Sequence, residues 1–195
     1  WGGCLVVGAS AADGQTSRSG AAYLFRRGEA GWVEEARLTA ADGDAYDDFG
    51  TAVDIYEDTV IIGSDRDDDG ADSAGSAYIF ERQGSQWAET AKLTAGDAFQ
   101  GDFFGESVCV WDGTAVVGAF ANDDAGNGSG AAYLFTRVGS RWKERAKLTA
   151  GDAMERAYFG GSVALCGGTA VIGASYDSDT AYRSGSVYAY PLCEV

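Results

Sequence analysis

Five carboxylates fall within eight positions at Asp65-Arg66-Asp67-Asp68-Asp69-Gly70-Ala71-Asp72. Oxygen donors at this density suit Ca²⁺, which takes about six to eight ligands from Asp, backbone carbonyls and water. The Asp-x-Asp-x-Asp-Gly core matches the opening half of an EF-hand-like loop, where Gly permits the sharp turn. The twelfth position is Ser76 rather than Glu, so the match is partial. Asp65, Asp67, Asp69 and Asp72 are the candidate ligands of a divalent cation, with thinner counterparts at Asn122-Asp123-Asp124 and Asp177-Ser178-Asp179. The competing reading is a solvated acidic loop that keeps the protein soluble.

Other chemistry is poorly supplied. The chain has no His, which closes the Ser-His-Asp and Cys-His routes to an activated nucleophile. Paired carboxylates of the kind glycosidases use remain available, but nothing distinguishes one pair. No catalytic residue is assigned. The four cysteines, Cys4, Cys109, Cys166 and Cys193, include no CxxC pair. They are compatible with two disulfides in an oxidising compartment, in any of three pairings, and equally with buried free thiols.

The elements that position these groups follow from a repeat. Val6-Val7-Gly8-Ala9 returns as Ile61-Ile62-Gly63-Ser64, Val116-Val117-Gly118-Ala119 and Val171-Ile172-Gly173-Ala174, in steps of 55 across all 195 residues. In the copy at 104–150, Phe104–Trp111, Thr114–Ala119, Gly130–Phe135 and Trp142–Thr149 each read as a strand, and Asp112-Gly113 as a tight turn. Nothing has sustained helical periodicity. Four antiparallel strands per repeat predict an all-β, β-propeller-type array of blades about 55 residues long. The expected organisation is one array over 1–195: part of a blade at 1–40, blades at 41–95 and 96–150, and part of a blade at 151–195. That gives two full blades flanked by two incomplete ones.

Phe49-Gly50, Phe104-Gly105 and Phe159-Gly160 open first strands, and Val-Val-Gly-Ala closes second strands. With Trp87-Ala88-Glu89-Thr90-Ala91-Lys92-Leu93-Thr94-Ala95 before a Phe-Gly, the pattern resembles the FG-GAP repeat of integrin α-subunit propellers. It is closest to the long-period variety of bacterial and algal extracellular proteins. The resemblance implies a propeller and, by analogy, adhesion or surface interaction. Integrin calcium loops lie between the Phe-Gly and Gly-Ala strands. Here that place holds only Glu57-Asp58, Asp112-Gly113 or Gly167-Gly168, so that site does not carry over.

Alternating strand direction puts the second-to-third loops and the crossovers between blades at one end. These segments carry 18 of the 30 acidic residues, against Arg18, Arg66, Arg156 and Arg183. With a net charge of −16, the chain repels nucleic acid and anionic membranes and favours cations or basic proteins. No apolar run reaches the roughly 18 residues that span a bilayer. With Trp1 first and no charged leader, any targeting segment is expected to be removed or to lie outside these residues.

The expected function is a non-catalytic extracellular or lumenal module whose acidic face binds Ca²⁺ or a basic partner. The incomplete blades suggest self-association or a place in a larger assembly. A carbohydrate-binding module is the alternative, using Tyr46, Phe99, Phe103, Phe120, Tyr158, Tyr176 and Tyr182 as a platform. A carboxylate-based glycan-active enzyme comes last. Glu34, Glu89 and Glu144, with Arg37, Lys92 and Lys147, read as guards of exposed edge strands. Trp32, Trp87 and Trp142, with Tyr23, Tyr78, Tyr133 and Tyr188, read as packing between sheets, and Asp42, Asp97 and Asp152 as Asx-type turn caps.

Overall fold

The computed structural model describes residues 3–179 and 181–192. Its strands are β1 (Cys4–Ala9), β2 (Ala21–Gly28), β3 (Gly31–Leu38), β4 (Val53–Tyr56), β5 (Thr59–Ser64), β6 (Ser76–Gln83) and β7 (Gln86–Leu93). They continue as β8 (Phe104–Trp111), β9 (Thr114–Ala119), β10 (Ala131–Val138), β11 (Arg141–Leu148), β12 (Phe159–Cys166), β13 (Thr169–Ala174) and β14 (Ser186–Pro191). The sheets are β1-β2-β3, β4-β5-β6-β7, β8-β9-β10-β11 and β12-β13-β14, all antiparallel. Among the described residues they follow one another as blades and do not close into a ring.

In the two inner sheets the middle of the second strand, Val60–Ile62 and Ala115–Val117, is apolar because it is covered on both faces. Val60 and Ile62 pack toward the preceding sheet with Leu24, Phe49 and Tyr78, whereas Ile61 packs toward the next with Phe104, Val117 and Tyr133. Three cores thus lie between four sheets, each fed by alternate residues of several strands in the two sheets that flank it. The outward faces of the end sheets have no such cover. Leu5 and Val7, which correspond to the fully buried Val60 and Ile62, are 41% and 43% exposed. Val187 corresponds to the fully buried Ala77 and Ala132, and is 72% exposed.

The Phe-Gly and Gly-Ala elements lock adjacent blades together. Phe49 and Phe104 meet Tyr78 and Tyr133 edge-to-face, with centroids 5.3 and 5.4 Å apart, and the neighbouring Gly50 and Gly105 are at positive φ. A Cβ on Gly63 would stand 1.9 Å from the Gly105 carbonyl oxygen, and one on Gly118 would stand 1.9 Å from that of Gly160. Only two glycines allow backbones to approach this closely.

Tyr78 and Tyr133 pack as expected, but Trp32 does not: it is half exposed, since no sheet precedes β1. Of the two readings of the cysteines, the structure shows the free-thiol state. Cys4, Cys109 and Cys166 are free thiols, and Cys193 lies outside the described residues.

Candidate carboxylate receptors on the loop face

One arrangement recurs in the two four-stranded sheets. In the second sheet, the Tyr78 hydroxyl reaches from β6 to Asp67 Oδ2 at 2.6 Å and Asp42 Oδ1 at 2.9 Å. Lys92 Nζ, from the adjacent β7, lies 2.9 Å from Asp42, 2.8 Å from Asp67 and 2.5 Å from Asp69. An ammonium has three N–H donors, and here each finds a carboxylate. Its nitrogen also sits 5.2 Å from the Tyr78 ring centroid. In the third sheet, Tyr133 bonds Asp97 at 2.8 Å, and Lys147 Nζ meets Asp97 at 2.8 Å and Asp124 at 2.5 Å.

The last sheet repeats the receiving half. The Tyr188 hydroxyl lies 2.8 Å from Asp152 Oδ1 and 2.7 Å from Asp177 Oδ2. Asp152, Asp177 and Asp179 bring a carboxylate oxygen each within 4.8 Å of one another. Asp177 is buried, while Asp152 and Asp179 face solvent. These loops and crossovers therefore do meet at one end of the blades.

The loop geometry comes from Asx turns. The Asp69 N–H donates to Asp67 Oδ1, Asp124 N–H to Asn122 Oδ1 and Asp179 N–H to Asp177 Oδ1. The first residue of each pair is thereby fixed inward, where it meets the tyrosine of strand three.

Charge pairing decides the ionisation. Burial opposes the charge on Asp42 and Asp97, but the facing ammonium and tyrosine hydroxyl more than offset it and lower both carboxyl pKa values. Burial likewise works against Lys92 and Lys147, and the carboxylates around them raise both ammonium pKa values. Asp179 behaves oppositely: its hydrogen bond with Asp152, then burial, push its carboxyl up.

Of the four candidate ligands between Asp65 and Asp72, only Asp67 and Asp69 converge. Asp65 turns inward beside Glu106, where burial raises its pKa. Asp72 instead accepts from Ser73 Oγ and Gln100 Nε2. Asp123 takes the Gly128 N–H at 2.6 Å, leaving Asp124 to face Lys147. Asp177 and Asp179 do come together, joined by Asp152. Asp42, Asp97 and Asp152 had read as turn caps; their carboxylates reach tyrosine hydroxyls instead. The crossover caps are Asp47 and Asp102, which accept from the N–H groups of Asp44 and Phe99. A signal for the receptor was present: Asp42, Asp67 and Lys92 stand 25 residues apart, as do Asp97, Asn122 and Lys147.

The fourth-strand charges also have a more specific task than guarding an edge. Glu89 and Glu144 accept the N–H groups of Ala41 and Gly96 in the preceding crossovers, each tying its blade to the one before. Arg82 likewise bridges from β6 to Glu35 of β3. Among the loop aromatics, Phe103 stacks on Phe120 at 5.5 Å, and Phe120, Tyr158 and Tyr176 continue edge-to-face at 5.6 and 5.2 Å. These rings turn toward one another rather than forming a flat platform. No helix is long and apolar enough to cross a membrane among the described residues.

Residues 32–80, 87–135 and 142–190 each match the family model of the FG-GAP repeat. No curated protein matches the chain.

Proposed function

The chain belongs to the FG-GAP repeat family, and on that premise we propose that it is a non-catalytic extracellular module whose loop face receives cationic groups. Repeats of this family generally lack catalysis and mediate protein–protein interactions. The observation carrying the reading is the triad Asp152, Asp177 and Asp179, converging at the surface where the two preceding repeats hold an ammonium. The acidic surroundings would draw a basic partner toward it by long-range attraction.

Ca²⁺ is the small-ion form of the same reading. Three hard carboxylate donors within 4.8 Å fit it, with backbone carbonyls and water completing the shell. At Asp67 and Asp69 a metal would have to displace Lys92, so the preferred ligands are Asp152, Asp177 and Asp179.

The test is thermal unfolding with millimolar Ca²⁺, then EDTA, and separately with hexalysine. Stabilisation by either cation, abolished by Asp177→Asn with Asp179→Asn, is the expected outcome, because a ligand of the native state raises its stability by mass action. No response to either would defeat the reading.

A further inference from the structure

We propose that Asn127, in the loop between β9 and β10, is the acceptor of an N-linked oligosaccharide. The inference rests on the extracellular reading above, because this modification belongs to proteins that enter the secretory route.

Asn127-Gly128-Ser129 is an Asn-x-Ser acceptor triplet, and the chain contains it once. The repeat does not require it: the corresponding residues are Ser17-Arg18-Ser19, Asp72-Ser73-Ala74 and Tyr182-Arg183-Ser184. The fold has no use for its amide either. Of the two asparagines in the chain, Asn122 is buried, donates to Asp102 and accepts the Asp124 N–H. Asn127 is exposed, and among the described residues its side-chain amide has no hydrogen-bond partner. Asp72, at the same place in the second repeat, is occupied by Ser73 and Gln100. The backbone at Asn127 is held nonetheless. Its carbonyl accepts the Arg156 N–H at 2.8 Å, and the next N–H, of Gly128, donates to Asp123 Oδ1 at 2.6 Å. A free amide on a fixed loop can carry a bulky, hydrophilic group outward without displacing a native contact.

Transfer joins Asn127 Nδ2 to the anomeric carbon of a sugar, whose bond to the phosphate of a polyprenyl-pyrophosphate donor breaks. The amide gives up one proton and the lipid pyrophosphate leaves. The serine hydroxyl of the triplet has to reach the asparagine amide for this. In the folded loop Ser129 is 1% exposed and its Oγ donates to the Asn122 carbonyl at 3.3 Å. Modification therefore precedes closure of the loop. The finished glycan would cover the loop face of the third sheet, on the segment that also carries Asp124.

The test takes the protein from its native source, treats it with a peptide-N-glycosidase in heavy-oxygen water, and reads position 127 by mass spectrometry. Conversion of Asn127 to heavy-labelled aspartate is expected in protein from the extracellular fraction. Labelling no greater than in an enzyme-free control, which covers spontaneous deamidation of Asn-Gly, would overturn the site and leave the extracellular reading intact. Recovery of the protein only from inside the cell would overturn both. Secretion of the chain from a eukaryotic host locates the attachment: Asn127→Gln and Ser129→Ala should each abolish the added mass. Alanine already stands buried at the corresponding Ala74, so Ser129→Ala keeps the fold. A secreted parent chain carrying no more mass than Asn127→Gln would also overturn the proposal.

Discussion

Lys92 Nζ lies 2.8 Å from an oxygen of Asp67, whose side chain is only 3% exposed. A buried carboxylate is costly without a partner, so the pair binds β7 to the loop between β5 and β6 by mutual necessity.

Replacing Lys92 by Met should therefore lower stability by roughly 3 kcal/mol, the cost of leaving a buried carboxylate unpaired. Adding Asp67→Asn should restore part of the loss, since the amide carries no charge. Urea titrations of the single and double variants check this. Lys92→Met should also gain a Ca²⁺-dependent rise in Tm that the parent protein lacks at this repeat.

Asp47 gives a pH test. Burial, with the carboxylates of Asp67, Asp68 and Asp44 adding to it, pushes its pKa up to about 6 from an ordinary 3.8. Because the folded pKa is raised, its favourable contribution is complete below pH 3.8 and is lost as pH rises through about 6. Asp47→Asn keeps an acceptor for the Asp44 N–H and removes the charge. It should stabilise the protein by about 1–2 kcal/mol at pH 7.5, with the gain fading between pH 6 and 4. Thermal scans across that range decide it.

Gly63→Ala separates space from conformation. Its φ is ordinary, yet the new Cβ would fall 1.9 Å from the Gly105 carbonyl oxygen and force two blades apart. A loss of about 4 kcal/mol or failure to fold is expected. Gly139→Ala has open space but a positive φ of 65°, and should cost only about 1 kcal/mol. Denaturation midpoints of the two variants provide the comparison.

Cysteine reactivity should be unequal. Burial, reinforced by Asp54, pushes the Cys109 thiol up to about 12, while Cys166 is exposed. Thiolate is the reactive form. Iodoacetamide at pH 8 should label Cys166 in the native protein more than about tenfold faster than Cys109. Mass spectrometry of the digested chain measures both.

The strand order was legible because the 55-residue period carries its own punctuation. Asp112-Gly113 marks a turn, and the unbroken apolar run of Ala115–Val117 marks a strand covered on both faces. The candidate site was only half legible. Reading Asp65 to Asp72 as one loop missed that Asp65 and Asp72 point away from Asp67 and Asp69. It also missed Lys92, which joins them from a strand more than twenty residues later.

By itself the sequence determined the all-β repeat, its strand order and the acidic end of the molecule, because period, turn residues and charge are local properties. Tertiary structure decided which carboxylates meet and which cation they meet. Those contacts arise when antiparallel pairing brings residues 25 and 50 positions apart to one point, as it does for Asp67 and Asp42 around Lys92. Such meetings depend on strand register and on how successive blades stack, which the charges along one loop do not specify.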